Sequence, residues 1–320
     1  MESLQSIKRR LKGVQNIRQI TKAMELVAAT KMRRSQEIAL ASRAYGFAAL
    51  ELLGTLSRLE GVTLPALLEK RPVAKRAVVV VTSDKGLAGA FNSAVLREFE
   101  AFLSRTGIDP QDPRTSFIGV GQKAVNYLER RVGNLVEKYV RFGDYTSLDE
   151  VEPLSARLMK GFLSGEWDEV VMLSTHFRSA LSQQVTTRTL LPIDPTTVRE
   201  TLQELVPEHG RFADLFRRNG NGAGNGRNGN HADEPVKYLI EPAASAVLEL
   251  LAPHLVRTQI YQVVLEANAS EWAARRLAMK NASDNAKDLS DGLTLEFNKS
   301  RQAAITRELL EITAGAEALS

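Results

Sequence analysis

Two glycine-containing turns are where this sequence could cradle a phosphate. Gly119-Val120-Gly121-Gln122-Lys123-Ala124 follows a β-branched run and opens a helical stretch. This is the G-x-G-x-x-A arrangement, in which small residues let a backbone approach a pyrophosphate, and Glu137 stands about far enough on to hold a ribose. A tight turn from strand to helix favours glycine whatever it binds, so the same residues also fit a plain β-to-α turn. The second turn runs Asp84-Lys85-Gly86-Leu87-Ala88-Gly89-Ala90-Phe91-Asn92 and lacks the G-K-[ST] ending of a P-loop. It reads as a turn with Asn92 or Ser93 near a helix start.

Other chemistry finds little to work with. His176, His209, His231 and His254 have no metal-ligand spacing, and Glu166, Asp168 and Glu169 read as surface residues ahead of a strand. The chain has no cysteine, which excludes disulfides, thiolate metal sites and a cysteine nucleophile. No acid, base or nucleophile set stands out. The expectation is a mechanical or assembly role with no bound cofactor.

The elements that must position these residues fall into two kinds. Between residues 75 and 205, β-branched runs at 77–82, 115–120, 136–140, 169–175 and 183–191 alternate with helical stretches ending at Thr106 and covering 122–131 and 148–163. That alternation predicts a largely parallel sheet covered on both faces, a Rossmann-like domain, with the last two strands antiparallel. The two ends of the chain are different. From Pro253 to Ser320 the pattern is one helix, on the order of 100 Å long at ~1.5 Å per residue, against a radius of gyration of about 20 Å for a compact chain of this size. Ala278, Ala282, Ala286, Leu289, Leu293, Phe297, Ala304, Leu309 and Ile312 recur along it in steps of mostly three and four. At the other end Leu4, Ile7, Leu11, Val14, Ile17, Ile20, Met24 and Val27 keep a like spacing. Two such stripes at opposite ends of one chain predict a long antiparallel coiled coil. The fold class is then α/β: that coiled coil of N- and C-terminal helices plus the central Rossmann-like domain.

The expected division is a helix over 1–60, the α/β domain over 75–205, an insertion over 206–235, a strand and connection over 236–252, and the terminal helix over 253–320. Within the insertion, residues 219–230 are almost all Asn and Gly and read as a flexible tether, with a short amphipathic helix at 211–218 ahead of it. The 43% hydrophobic and 25% charged fractions are those of a water-soluble protein. The opening MESLQSIKRR enters the amphipathic pattern without the apolar core of a secretion signal, which predicts a cytoplasmic location. A net charge of +4 is placed unevenly, with ten Lys/Arg against three Glu in residues 1–43. A basic helix of this kind fits an acidic protein surface, a nucleic acid or a solvated face. No base-stacking aromatic occurs before Tyr45, which argues against single-strand binding.

Three blocks carry a resemblance: ITKAMELVAATKMRRSQ at 20–36, TSDKGLAGAFN at 82–92, and NASDNAKDLSDGLTLEFNKSRQAAITRELLEITAGAEAL at 281–319. In order, spacing and terminal position they resemble the gamma subunit of the rotary F-type ATP synthase. The resemblance spans the chain except for about residues 206–235 and is most specific at ITRELLEITAGAEA. It implies a central rotor shaft inside a ring of three alpha and three beta subunits, with the α/β domain as a foot on the membrane c-ring. Such a subunit is present in one copy per complex, touches the epsilon subunit, and couples proton or sodium flow to ATP synthesis and hydrolysis without a catalytic site of its own. The implied location is peripheral, on the cytoplasmic face of the bacterial inner membrane, with no nucleic acid bound.

By the same resemblance, Met24, Arg275, Gln302 and Thr306 match positions near the acidic catch of the beta subunits, with Lys31, Arg33, Lys85 and Ala88 as neighbours. Lys85 and Ala88 stand where arginine and cysteine are more usual. The segment with Ile312, Ala316 and Leu319 resembles a bearing tip, and Tyr238, Ile240 and Glu241 a foot strand on the rotor ring, with isoleucine where an aromatic is common. The insertion lies where photosynthetic relatives carry a regulatory one. Without cysteine, no thiol switch can operate in it. The other readings are a dinucleotide-binding α/β protein, resting on Gly119, Gly121 and Glu137, and a basic coiled-coil scaffold or nucleic-acid-binding protein.

Overall fold

A computed structural model of the chain describes residues 3–56, 62–142, 145–194, 241 and 243–317. In chain order the elements are α1 (Leu4–Leu56), a one-turn 3-10 helix (Ala66–Leu68), β1 (Arg76–Val81), α2 (Phe91–Thr106), β2 (Thr115–Val120), α3 (Gln122–Arg131), β3 (Leu135–Tyr139), α4 (Leu148–Leu163), β4 (Glu169–Phe177), β5 (Gln183–Leu191) and α5 (Ala244–Glu317). They form two compact units: Met1–Ala29 with Arg275–Ser320, and Thr30–Ala274.

The larger unit is built on a five-stranded sheet in the order β3-β2-β1-β4-β5. β2–β3, β1–β2 and β1–β4 pair in parallel and β4–β5 antiparallel, as the spacing of strands and helices predicts. Successive residues of β1 point to opposite faces. Ala77, Val79 and Val81 join a core with Val151, Leu154 and Leu158 of α4, Leu53 of α1 and Val256 and Ile260 of α5. Val78 and Val80 join a second core with Phe99 of α2 and Leu128 of α3. Helices on both faces leave β1, β2 and β4 almost no solvent side, which is why these strands are buried nearly throughout and lack an apolar-polar alternation. Local signals fix the helix ends: Ser147 and Glu150 form a capping box at the start of α4, and Gly107 closes α2 at φ 66°.

The smaller unit pairs the two ends of the chain. α1 leaves it and α5 enters it, so the paired segments run antiparallel by connectivity. On α5 the residues turned inward are Met279, Ser283, Ala286, Ser290 and Leu293, continued by half-buried Phe297 and Ala304. These steps alternate four and three, the heptad period of a coiled coil. On α1 the seam starts as the sequence predicts, with Leu4, Ile7, Leu11 and Val14, and continues through Thr21 and Ala28.

Here the expected stripes are corrected. Ile17, Ile20 and Val27 are 54%, 60% and 51% exposed, and Met24 is half-buried. Two successive steps of three, from Val14 to Ile17 to Ile20, swing the apolar stripe by roughly 100° relative to a heptad seam. The helix keeps the heptad, places small Thr21 and Ala28 inside, and turns the isoleucines outward. On α5, Leu289, Leu309 and Ile312 are likewise exposed rather than in the seam.

The last helix also begins earlier than its sequence predicts. It starts at Ala244 and contains Pro253, so residues 244–252 are helical and not a connection. Proline there withholds one hydrogen bond from the carbonyl of Glu249. Glu249 is exposed, so water can serve that carbonyl, while the neighbouring Leu248 and Ala252 are buried in the core. The expected insertion at 206–235, its short helix and most of the expected strand at 236–240 lie outside the described residues.

Candidate functional site

The glycine turn after β2 is occupied by the chain itself. The first three amides of α3 are those that would face a pyrophosphate, and each already has an acceptor. Gln122 donates to Oδ1 of Asp84 at 2.9 Å, Lys123 to the carbonyl of Ser83 at 3.2 Å, and Ala124 to Oγ1 of Thr82 at 2.7 Å. Gly121 has φ 88°, and a Cβ there would stand 2.1 Å from the carbonyl oxygen of Thr82. Glycine is required by close packing of two loops. Glu137 pairs with Arg157 at 3.2 Å. The arrangement is a fastening between the β1 and β2 turns and leaves no open anion cradle.

The turn after β1 is the other half of that fastening. Asp84 Oδ1 accepts from Gln122 and Oδ2 accepts from the amide of Arg141, at 2.9 Å each. Asn92 Oδ1 accepts from the Ser83 amide at 3.0 Å, and Ser83 Oγ donates to the carbonyl of Lys85 at 2.7 Å. The loop so held displays Lys85, Gly86 and Leu87. Leu87 is 64% exposed at φ 63°, and Arg141 has φ 66°. Among the described residues these two are the non-glycine positions with positive φ, and such strain gathers where a loop has a task. A cleft of about 320 Å³ opens beside them, lined by Asp84, Lys85, Arg141, Phe142, Asn268, Glu271 and Trp272. Lys31 Nζ lies 4.6 Å over the Trp272 ring.

The residues singled out from sequence are distributed unevenly over these features. Lys85 is exposed beside the cleft. Ala88 is 2% exposed and supports the loop from within, so its small size matters for packing. Arg33 is exposed and pairs with Glu37 at 3.1 Å, while Met24 and Lys31 are half-buried. Arg275, expected near the acidic catch, is 4% exposed. Its charge is held inside the chain. Gln302 and Thr306 are exposed one turn apart, and the Thr306 hydroxyl donates to the Gln302 carbonyl at 2.9 Å. Ile312 is 68% exposed and Glu241 is exposed. Tyr238, Ile240 and Leu319, and the side chain of Ala316, lie outside the described residues.

Sequence reasoning missed Asp84, Leu87 and Arg141 as organisers of this region. The signal available was an acidic residue immediately before a Lys-Gly pair, which marks a turn without naming its distant partners. Among the described residues no helix is long and apolar enough to cross a membrane, and no cluster of His, Asp and Glu is arranged to hold a metal.

Comparisons with known proteins agree with this architecture. A family model described as ATP synthase matches residues 3–319. The ATP synthase gamma chain of Roseiflexus castenholzii is 40% identical over 324 residues, covering 100% of this chain and 99% of the relative. That of Dehalococcoides mccartyi strain BAV1 is 36% identical over 322 residues, with 100% of both chains covered. Among solved structures, a chain of the Euglena gracilis mitochondrial ATP synthase (OSCP/F1/c-ring, rotational state 3) matches at TM-score 0.59 and 17% identity, covering 99% of this chain and 94% of its own. A chain of the Tetrahymena thermophila central stalk and c-ring matches at TM-score 0.53 and 23% identity, covering 82% and 99%. At these identities the two structures speak for the fold. The full-length match to the family model and to relatives of this identity means that the chain belongs to the ATP synthase gamma chain family.

Proposed function

We infer that the chain is the central rotor shaft of an F-type ATP synthase, coupling ion-driven rotation of a membrane c-ring to ATP synthesis and hydrolysis at an alpha/beta hexamer. The observation that carries this reading is the antiparallel pairing of the chain's two ends into one unit, in a chain that matches the gamma family over its whole length. The shaft contributes no chemistry of its own. Its unequal faces act on the catalytic subunits by differential contact with discrete states.

Support for the contact surfaces comes from exposure. The face of α1 that bears Ile17, Ile20 and Val27 is apolar and open, with Lys8, Arg9, Lys12, Arg18 and Lys22 exposed along the same helix. Such a surface fits partners that offer apolar rims and acidic side chains. Lys85, Arg33, Gln302 and Thr306, all exposed, are the catch contacts to the beta subunits in this reading, and Met24 and Lys31 flank them. Arg275 and Ala88 act from inside by holding those surfaces in shape. The bearing tip at Ile312, Ala316 and Leu319, the ring-facing strand at Tyr238, Ile240 and Glu241, one copy per complex, an epsilon contact, and a peripheral position on the cytoplasmic face of the membrane complete the proposal.

Co-expression with cognate alpha and beta subunits tests it. The expected product is a stable complex with one copy of this chain and steady ATP turnover. Failure to co-purify, or a complex in which turnover is unchanged by leaving the chain out, would overturn the reading. Titration with NADH addresses the dinucleotide alternative, and no change in nicotinamide fluorescence is expected.

A further inference from the structure

Within the α/β unit, α5 meets the sheet through two kinds of contact. For much of its length the contact is apolar, with Val256, Ile260, Val263 and Ala267 in the same core as Met172 and Leu190. Further along it becomes ionic. His176 Nδ1 on β4 lies 2.7 Å from Glu266 Oε2, and Arg188 Nη1 on β5 lies 3.3 Å from the same oxygen. The three residues are buried at 3%, 7% and 2% exposure for His176, Arg188 and Glu266. One turn on, Ser270 Oγ donates to the Thr175 carbonyl at 3.4 Å.

Stability alone gives no reason for charges here. Withdrawing an ion pair from water roughly cancels its attraction, and an apolar filling of the same volume is often as stable or more so. Among the described residues, the second oxygen of Glu266 has no hydrogen-bond donor. Gln259 and Gln262, on the same helix face by their spacing, are also buried with unpartnered side-chain amide atoms. What the cluster adds is direction. Hydrophobic burial is non-directional and lets a helix slide or turn on a sheet, whereas a carboxylate gripped from two adjacent strands fixes both register and azimuth.

We propose that Glu266, with His176 and Arg188, is a torque clamp that fixes α5 about its own axis against the sheet. Load applied to the α/β unit then turns the helix and does not slip past it. Glu266 is a positioning residue, and its role rests on the rotor reading above. α5 continues unbroken to Glu317, so an azimuth fixed at Glu266 is carried along the same element.

The test uses the chain in its complex. Glu266→Ala, Glu266→Gln and His176→Lys are assembled with alpha and beta subunits, and separately into ring-attached complexes in sealed vesicles. In the soluble complex the α/β unit bears no load, and ATP hydrolysis is expected to stay close to the parental rate. In vesicles, ions pumped per ATP hydrolysed are expected to fall several-fold for Glu266→Ala and less for Glu266→Gln. His176→Lys places a hydrogen-bond donor opposite Glu266 and is expected to retain the parental ratio. A parental ratio in an assembled Glu266→Ala complex would overturn the clamp, even with a lowered melting temperature. Should that variant not assemble, the near-isosteric Glu266→Gln decides in the same way. Failure of the rotor reading is distinct, because the parental chain would then neither assemble nor support pumping.

Discussion

Asp84 gives both oxygens of one carboxylate to main-chain amides of two other loops, at Gln122 and Arg141. Asp84→Ala should therefore destabilise the chain by about 1–3 kcal/mol in urea unfolding, and Asp84→Asn by less, since one acceptor oxygen remains. Other carboxylates carry a pH dependence. Glu100 is held below the usual carboxylate range chiefly by hydrogen bonds from Arg131, with the Tyr127 hydroxyl adding to the effect. Asp168 is held low chiefly by the amide of Lys75, then by that of Ala74. A folded pKa below the unfolded one gives stability that is complete above the unfolded value, about 4. That stability is lost as pH falls through the folded value. The urea midpoint should be flat from pH 8 to about pH 5 and fall below that, and Glu100→Gln should lower the plateau and soften the fall. At this scale the sequence was legible only in part. The glycines at 119 and 121 correctly mark a tight β-to-α turn, but the groups that fill it, Thr82, Ser83 and Asp84, lie about forty residues away and leave no local pattern.

At the scale of elements, the α/β unit was readable almost residue by residue, because β-branched runs between Gly, Pro and Asp punctuation admit few alternatives. The shaft was readable in kind and misleading in phase. Apolar residues announce a helix, yet Ile17 and Ile20 face outward because a pair of long helices must keep a 3.5-residue period. This separates two classes of substitution on one helix. Ala28→Leu, at a 0% exposed seam position, should destabilise the pair by about 1–3 kcal/mol through overpacking. Ile20→Ser should leave the thermal melt by circular dichroism nearly unchanged and weaken co-purification with alpha and beta subunits. Leu11→Pro should cost roughly 3 kcal/mol or more by removing a helical hydrogen bond, and should abolish assembly. Equal behaviour of Ala28→Leu and Ile20→Ser in both assays would contradict the assigned phase.

At the scale of the molecule, the organisation was visible because length and periodicity are global properties: two unpartnered stripes at the ends of one chain imply each other. The ion cluster at Glu266 was not visible. His176 and Glu266 are 90 residues apart, and neither belongs to a periodic pattern. For the whole chain the rotor reading predicts that the purified protein hydrolyses no ATP, while adding it to a cognate alpha/beta mixture restores steady, cooperative turnover. A magnesium-dependent hydrolysis that co-elutes with the chain alone would contradict this.

The fastening beneath Leu87 bears on how quickly a contact can be made and broken. Lys85 and Leu87 stand on a loop whose backbone is already fixed by Asp84, Ser83 and Asn92, so docking a partner on it orders little that was free. A rotor must leave each partner as readily as it meets it. A prepared loop can dock through a shallow contact of brief dwell time, because it does not need a deep one to offset lost freedom.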